Sequence, residues 1–249
     1  MHIGVCVLLG LRKNVSRLFD NKGKLFVAAL DHPQGSGVMP GLENPMATLD
    51  QYAESEIDGF ILNAGLFKHI RNDKVYGKKL IMRVSLGCSK FSSDFATTHD
   101  TFVSKETVNQ FGADAVLMML ILGDHDYSSM QQAAKAIDYY HSLSIPVVLE
   151  VLASDYAKLH SIDVQRTGAR IGAEIGADVM KVFYTERFEE VVKGCPVPVI
   201  LAGGEKGSDV LSFARSAVCA GASGFAFGRN IVQHEDPAII IRQLNGILR

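Results

Sequence analysis

Eight apolar runs of strand length, separated by segments with helical spacing, constrain this chain more than any other feature. They are Leu25–Leu30, Gly59–Asn63, Leu80–Leu86, Ala115–Leu122, Pro146–Leu152, Asp178–Tyr184, Val197–Ala202 and Gly224–Gly228. Between them, sets such as Ala133/Ala136/Ile137/Tyr140/Leu143 and Val210/Leu211/Ala214/Ala217/Val218 repeat at the three-and-four spacing of an amphipathic helix. Strict alternation of strand and helix implies a parallel sheet with right-handed crossovers. Eight such units predict an α/β fold closed as a single (β/α)8 TIM barrel rather than an open doubly wound sheet. The length of 249 residues agrees, because one such barrel takes roughly 250. Residues 1–249 are therefore expected to form one barrel domain. Residues 1–23 are its N-terminal extension or cap, closing the barrel bottom or joining a subunit contact.

A short fingerprint precedes several strands. Gly112-Ala113-Asp114, Gly176-Ala177-Asp178 and Gly221-Ala222-Ser223 each place glycine at a helix C-cap, two residues ahead of a strand. The formal net charge of -2 points to neither nucleic acid nor an anionic membrane as partner, so any phosphate recognition must be local. Cys6, Cys88, Cys195 and Cys219 are widely spaced and form no Cys-x-x-Cys pair, as expected of reduced thiols in a cytoplasmic protein. The first ten residues lack a basic segment ahead of their apolar stretch, and no apolar run reaches the length of a membrane span. Neither a signal peptide nor a membrane anchor is expected.

Barrel enzymes react at the C-terminal ends of their strands, so the polar residues there are the candidates. Lys181 stands out because it interrupts Val179-Met180-Lys181-Val182-Phe183. A buried ammonium is costly unless it is paired or loses its proton, and a neutral amine is a nucleophile that forms a Schiff base with a carbonyl. The competing role is a strand-end lysine whose head reaches solvent. Glu150 interrupts Val147-Val148-Leu149-Glu150-Val151-Leu152 on the neighbouring strand and needs a cation, with Lys181 or Arg83 as partner. Asp31, at the end of the first strand, suits proton transfer or support of a Schiff base, or else caps the following turn. His32 could join it at the substrate or serve only as scaffold, and Tyr184 is a further proton-transfer candidate.

Gly203-Gly204 after the seventh strand and Gly228-Arg229 after the eighth form a candidate phosphate site. The glycines let backbone amides approach an anion, and Arg229 supplies a planar fork. Lys206, in the same loop as the glycine pair, is a further candidate contact. Asp124-His125-Asp126 superficially suggests a metal site, but adjacent residues seldom converge on one ion. Loop and helix-capping roles are expected there, and no metal.

Taken in order, Asp31-His32, Gly-Ala-Asp-Val-Met-Lys181-Val-Phe-Tyr184, Ala202-Gly203-Gly204 and Gly228-Arg229-Asn230-Ile231 resemble the class I aldolases of the archaeal-type fructose-bisphosphate aldolase and deoxyribose-phosphate aldolase superfamily. The stretch Phe188–Pro237 is similar to the phospho-autoinducer-2 thiolase branch. The resemblance implies a Schiff base at Lys181, acid support from Asp31, and a phosphate cradle from Gly203, Gly204, Gly228 and Arg229. It implies a phosphorylated keto-sugar substrate, no cofactor, and a homo-oligomer of five or ten subunits. The superfamily's fructose-bisphosphate aldolases carry a proton-transferring tyrosine after the fifth strand, where this chain has Leu152 in Val151-Leu152-Ala153-Ser154. The competing readings are thiolase-type acyl transfer with coenzyme A as co-substrate, a transaldolase-like synthase, and a non-catalytic barrel that binds phosphosugars.

Overall fold

The computed structural model describes residues 3–94, 99–204 and 209–249. Ten strands occur among them: β1 (Leu25–Ala29), β2 (Gly59–Asn63), β3 (Lys79–Arg83), β4 (Ser85–Gly87), β5 (His99–Thr101), β6 (Ala115–Leu122), β7 (Val147–Ala153), β8 (Val179–Phe183), β9 (Val199–Ala202) and β10 (Gly224–Phe227). Eight of them close into a parallel barrel in the order β1-β10-β9-β8-β7-β6-β3-β2, so the predicted (β/α)8 architecture is observed. The third predicted strand differs. Its apolar run breaks at Val84, and β4 leaves the barrel to pair antiparallel with β5. Helices such as Tyr127–His141, Ile162–Glu174 and Val210–Cys219 return the chain between strands.

The glycine fingerprint has a structural cause. Gly176 (φ 109°) and Gly221 (φ 102°) adopt backbone angles that suit glycine best and turn the chain off a helix. The aspartate that follows Gly-Ala then reaches sideways. Asp178 accepts a hydrogen bond from Val147 N at 2.8 Å, and Asp114 accepts one from Leu80 N at 2.8 Å. Each carboxylate thus ties the incoming strand to the start of its neighbour and helps set their register.

Alternation along the strands divides the core. Outward positions such as Phe60, Met82, Leu149, Met180, Val182 and Phe225 pack into the layer shared with the helices. Inward, Val27, Ile61, Ile81, Leu117, Val148, Val179, Ile200 and Ala226, one from each barrel strand, form an apolar plug. Leu18, at the end of the helix Ile3–Leu18, joins this plug, so the N-terminal extension packs under the barrel bottom. Arg249 Nε donates to Asp20 Oδ2 at 2.9 Å and fastens the same end to the C-terminus. Two residues beyond the plug, the inward positions include Asn63, Arg83, Met119, Glu150 and Lys181. The polar layer therefore rests on a dry floor.

Candidate active site

Lys181 and Glu150 are register partners on β8 and β7. Lys181 Nζ lies 2.7 Å from Glu150 Oε1, and the side chains keep only 4% and 11% of their surface exposed. The head does not escape to solvent. Both charges occupy inward positions of adjacent strands, and pairing offsets the desolvation that either alone would suffer.

Asp31 is buried one residue beyond the hydrogen-bonded end of β1. Arg83 Nη1 donates to its Oδ2 at 3.2 Å, while Asn63 Nδ2 donates to its backbone carbonyl at 2.8 Å. Burial pushes the Asp31 carboxyl up, but the charges of Arg83 and Lys181 outweigh it and hold the group below the usual carboxylate range. Arg83, the competing partner for Glu150, therefore belongs to Asp31. Its fork also reaches Ser85 O at 3.3 Å and Met119 Sδ at 3.1 Å. His32 Nδ1 stands 3.8 Å from Asp31 Oδ1. Burial holds the imidazole below its ordinary value, against the opposing charge of Asp31.

These groups line a cavity of about 240 Å³ together with Arg229, Met119, Leu152 and Tyr156. Among the described residues, the charged groups lining it are Asp31, Glu150, Lys181, Arg83 and Arg229. A larger cavity of about 660 Å³ adjoins it, with Tyr156 in both walls and Gly203, Gly204, Phe213 and Phe227 among its lining. Size does not mark the chemistry here, since the lysine opens into the smaller space. Asn230 Nδ2 donates to the Gly203 carbonyl and ties the turn after β10 to the turn after β9. Gly228 sits against His32. Lys206 lies outside the described residues.

Tyr184 does not join the proposed catalytic groups. It stands three residues after Lys181, on the outward side, and its ring stacks on Phe213 at 4.4 Å and Phe188 at 5.7 Å. Asp126 accepts a hydrogen bond from Gly123 N at 3.3 Å, a turn role. Among the described residues no cluster of three or more histidine, cysteine or acidic side chains is arranged to hold a metal ion. Met119, Tyr156 and Cys88 are among the lining residues that the sequence did not place at the site. Met119 is reachable by counting in twos along its strand. Tyr156, on the short turn Tyr156–Lys158, and Cys88, beside the β4–β5 hairpin, lie in segments without periodicity.

A closed parallel barrel with an ion-paired lysine at the C-terminal ends of its strands has the architecture of an α/β-barrel enzyme. Residues 24–234 match the model of the DeoC/LacD family aldolases, and the chain belongs to that family. The family makes it an enzyme of the aldolase type, a lyase, in agreement with the resemblance read from its motifs.

Three similarities describe its neighbourhood. The chain is 31% identical over 251 residues to 2-amino-3,7-dideoxy-D-threo-hept-6-ulosonate synthase 1 of Archaeoglobus fulgidus, covering 97% of this chain and 92% of the relative. It is 27% identical over 247 residues to the 3-hydroxy-5-phosphonooxypentane-2,4-dione thiolase of Salmonella typhimurium, covering 96% and 82%. A solved Schiff base forming fructose-1,6-bisphosphate aldolase superposes with a TM-score of 0.85 at 25% identity, over 96% of this chain and all of that one. Among the described residues no helix is long and apolar enough to cross a membrane.

Proposed function

We propose that this protein is a class I aldolase that makes or breaks a carbon–carbon bond in a phosphorylated keto sugar through a Schiff base on Lys181. The observation that carries this reading is the buried Lys181–Glu150 pair, 2.7 Å apart, opening into a cavity at the strand ends. Glu150 holds the amine in place and can take up the proton it sheds on attacking a ketone. Loss of water gives an iminium that accepts the electron pair of the breaking bond, so the reaction needs no separate cofactor. Asp31, kept ionised by Arg83, supports the positive charge of that iminium.

Arg229, with the backbone of Gly203, Gly204 and Gly228, is our candidate phosphate contact, and Lys206 extends the set by sequence alone. A substrate spanning the two adjoining cavities would place its phosphate away from the lysine, so that remote binding energy positions the ketone. Cys88, Cys195 and Cys219 are free thiols, which supports assignment to the cytoplasm. A homo-oligomer of five or ten subunits follows from family resemblance.

Borohydride reduction in the presence of dihydroxyacetone phosphate, followed by peptide mass spectrometry, tests the reading. A stable adduct on Lys181, lost in a folded Lys181→Met variant, is expected. Undiminished cleavage by that variant would overturn the assignment. Leu152 in the cavity wall favours a second reading, acyl transfer to coenzyme A on a phosphorylated diketone, since the thiolase relative is named for such a dione. Turnover that depends on added coenzyme A would select it.

A further inference from the structure

Cleavage requires a group that removes the proton from the leaving hydroxyl and later returns one to the enamine carbon. That group must line the Lys181 cavity, must be able both to accept and to donate, and must not be tied up in a hydrogen-bonded ion pair. Asp31 is held by Arg83 at 3.2 Å, and Glu150 by Lys181 at 2.7 Å. Leu152 lines the cavity but cannot exchange a proton. Tyr184 stacks in the outer layer between Phe213 and Phe188.

His32 meets each requirement. It lines the cavity, and its side chain keeps 30% of its surface open. Its Nδ1 is buried, makes no hydrogen bond among the described residues, and faces Asp31 Oδ1 at 3.8 Å. The backbone is shaped around the ring: a side chain at position 228 would place its Cβ 2.4 Å from His32 Cε1 and 3.1 Å from Nδ1, so glycine there leaves room for the imidazole. With Nδ1 turned to the carboxylate, Nε2 is the nitrogen left for substrate. The charges that act on the ring are those of Asp31, Lys181, Glu150 and Arg229, and desolvation keeps the free imidazole neutral, with a nitrogen open to accept a proton.

We propose that His32 is the catalytic acid–base of this aldolase, an inference that rests on the Schiff-base reading of Lys181. In the cleavage direction the iminium has formed and water has left. His32 Nε2 takes the hydroxyl proton, the carbon–carbon bond breaks, and its electron pair moves into the enamine as the aldehyde departs. The imidazolium, steadied by Asp31 at Nδ1, then returns its proton to the enamine carbon. Hydrolysis of the resulting iminium releases the ketone and frees Lys181. Protons and electrons balance without another reactant.

The test uses dihydroxyacetone phosphate as probe, with two readouts on the full-length protein. One is the borohydride adduct on Lys181; the other is exchange of the substrate's carbinol C–H with solvent deuterium, followed by NMR. His32→Gln is expected to retain the adduct and to lose exchange by about 10²–10⁴-fold. His32→Ala is expected to regain exchange when imidazole is added. Exchange at the wild-type rate in His32→Gln, or loss of the adduct together with exchange, would overturn the role of His32 while leaving the Schiff base standing. Absence of any adduct in the wild type would instead overturn the Schiff-base reading, and this proposal with it.

Discussion

Glu150 and Lys181 face each other across two adjacent barrel strands, with Oε1 and Nζ 2.7 Å apart and almost no surface exposed. Each residue is the other's condition for burial. Removing one partner leaves an uncompensated charge, a change that costs roughly 3–5 kcal/mol in buried pairs. Glu150→Ala is therefore expected to lower the urea midpoint substantially, and adding Lys181→Met should recover part of the loss. Strictly additive effects in this double-mutant cycle would show that the pair is not coupled.

A second histidine supplies a pH dependence of stability. His99, on β5, lies with Nε2 2.8 Å from Ser129 Oγ, and that hydroxyl already accepts from Ile121 N at 2.8 Å. The serine keeps both its proton and a second lone pair, so either neutral tautomer of the imidazole can be satisfied at Nε2. Burial, aided by the charge of Arg83, brings its pKa down from 6.5 to about 4. The unfolded chain binds a proton below 6.5 that the native state refuses until about 4, so stability falls with falling pH across that window. The slope approaches about 1.4 kcal/mol per pH unit, on the order of 3 kcal/mol in all. His99→Gln keeps a polar partner for Ser129 and removes the titration. Its urea midpoint should change less between pH 7 and pH 4.5 than that of the wild type; parallel curves would dismiss the assignment.

The packing of Gly228 yields a third expectation. A Cβ there would stand 2.4 Å from His32 Cε1 and 2.6 Å from the Ala29 carbonyl. The carbonyl belongs to β1 and cannot move far, so the ring must swing away. Gly228→Ala should cost roughly 1–3 kcal/mol of stability, as overpacking does, and reduce deuterium exchange of dihydroxyacetone phosphate at least tenfold. Unchanged exchange at reduced stability would mean that the position of the ring is irrelevant to turnover.

The barrel was legible because burial on both faces makes its strands nearly continuous apolar runs, and the charges interrupting them, Glu150 and Lys181, are conspicuous for the same reason. The β4–β5 hairpin was not, since residues 85–101 mix serine, glycine and charge without an alternating pattern. Tyr184 needs a parity count: inward positions run 179, 181, 183, and an odd step from Lys181 puts its ring against Phe213 and Phe188, in the wall of the adjoining larger cavity and not beside the lysine. Tyr156 reaches the cavity from a turn, where no periodicity reports which way a side chain faces. The Asp31–Arg83 pair joins residues 52 positions apart, and only closure of the barrel brings them together.

Leu152 offers the sharpest check on how protons move in this cavity. It lies two residues beyond Glu150 on β7, faces inward by the same parity, and lines the space beside Lys181. By resemblance, it stands where the superfamily's fructose-bisphosphate aldolases carry a proton-transferring tyrosine. A phenol introduced here would lie in the same cavity as the lysine and His32. In the wild-type background Leu152→Tyr should change deuterium exchange little, because His32 already performs the transfer, while the larger ring costs some stability. In a His32→Gln background the same change should raise exchange at least tenfold over the single variant, with the borohydride adduct on Lys181 unchanged in both. A double variant no faster than His32→Gln would show that position 152 does not reach the reacting carbon, and that the leucine shapes the cavity without standing in the path of the proton.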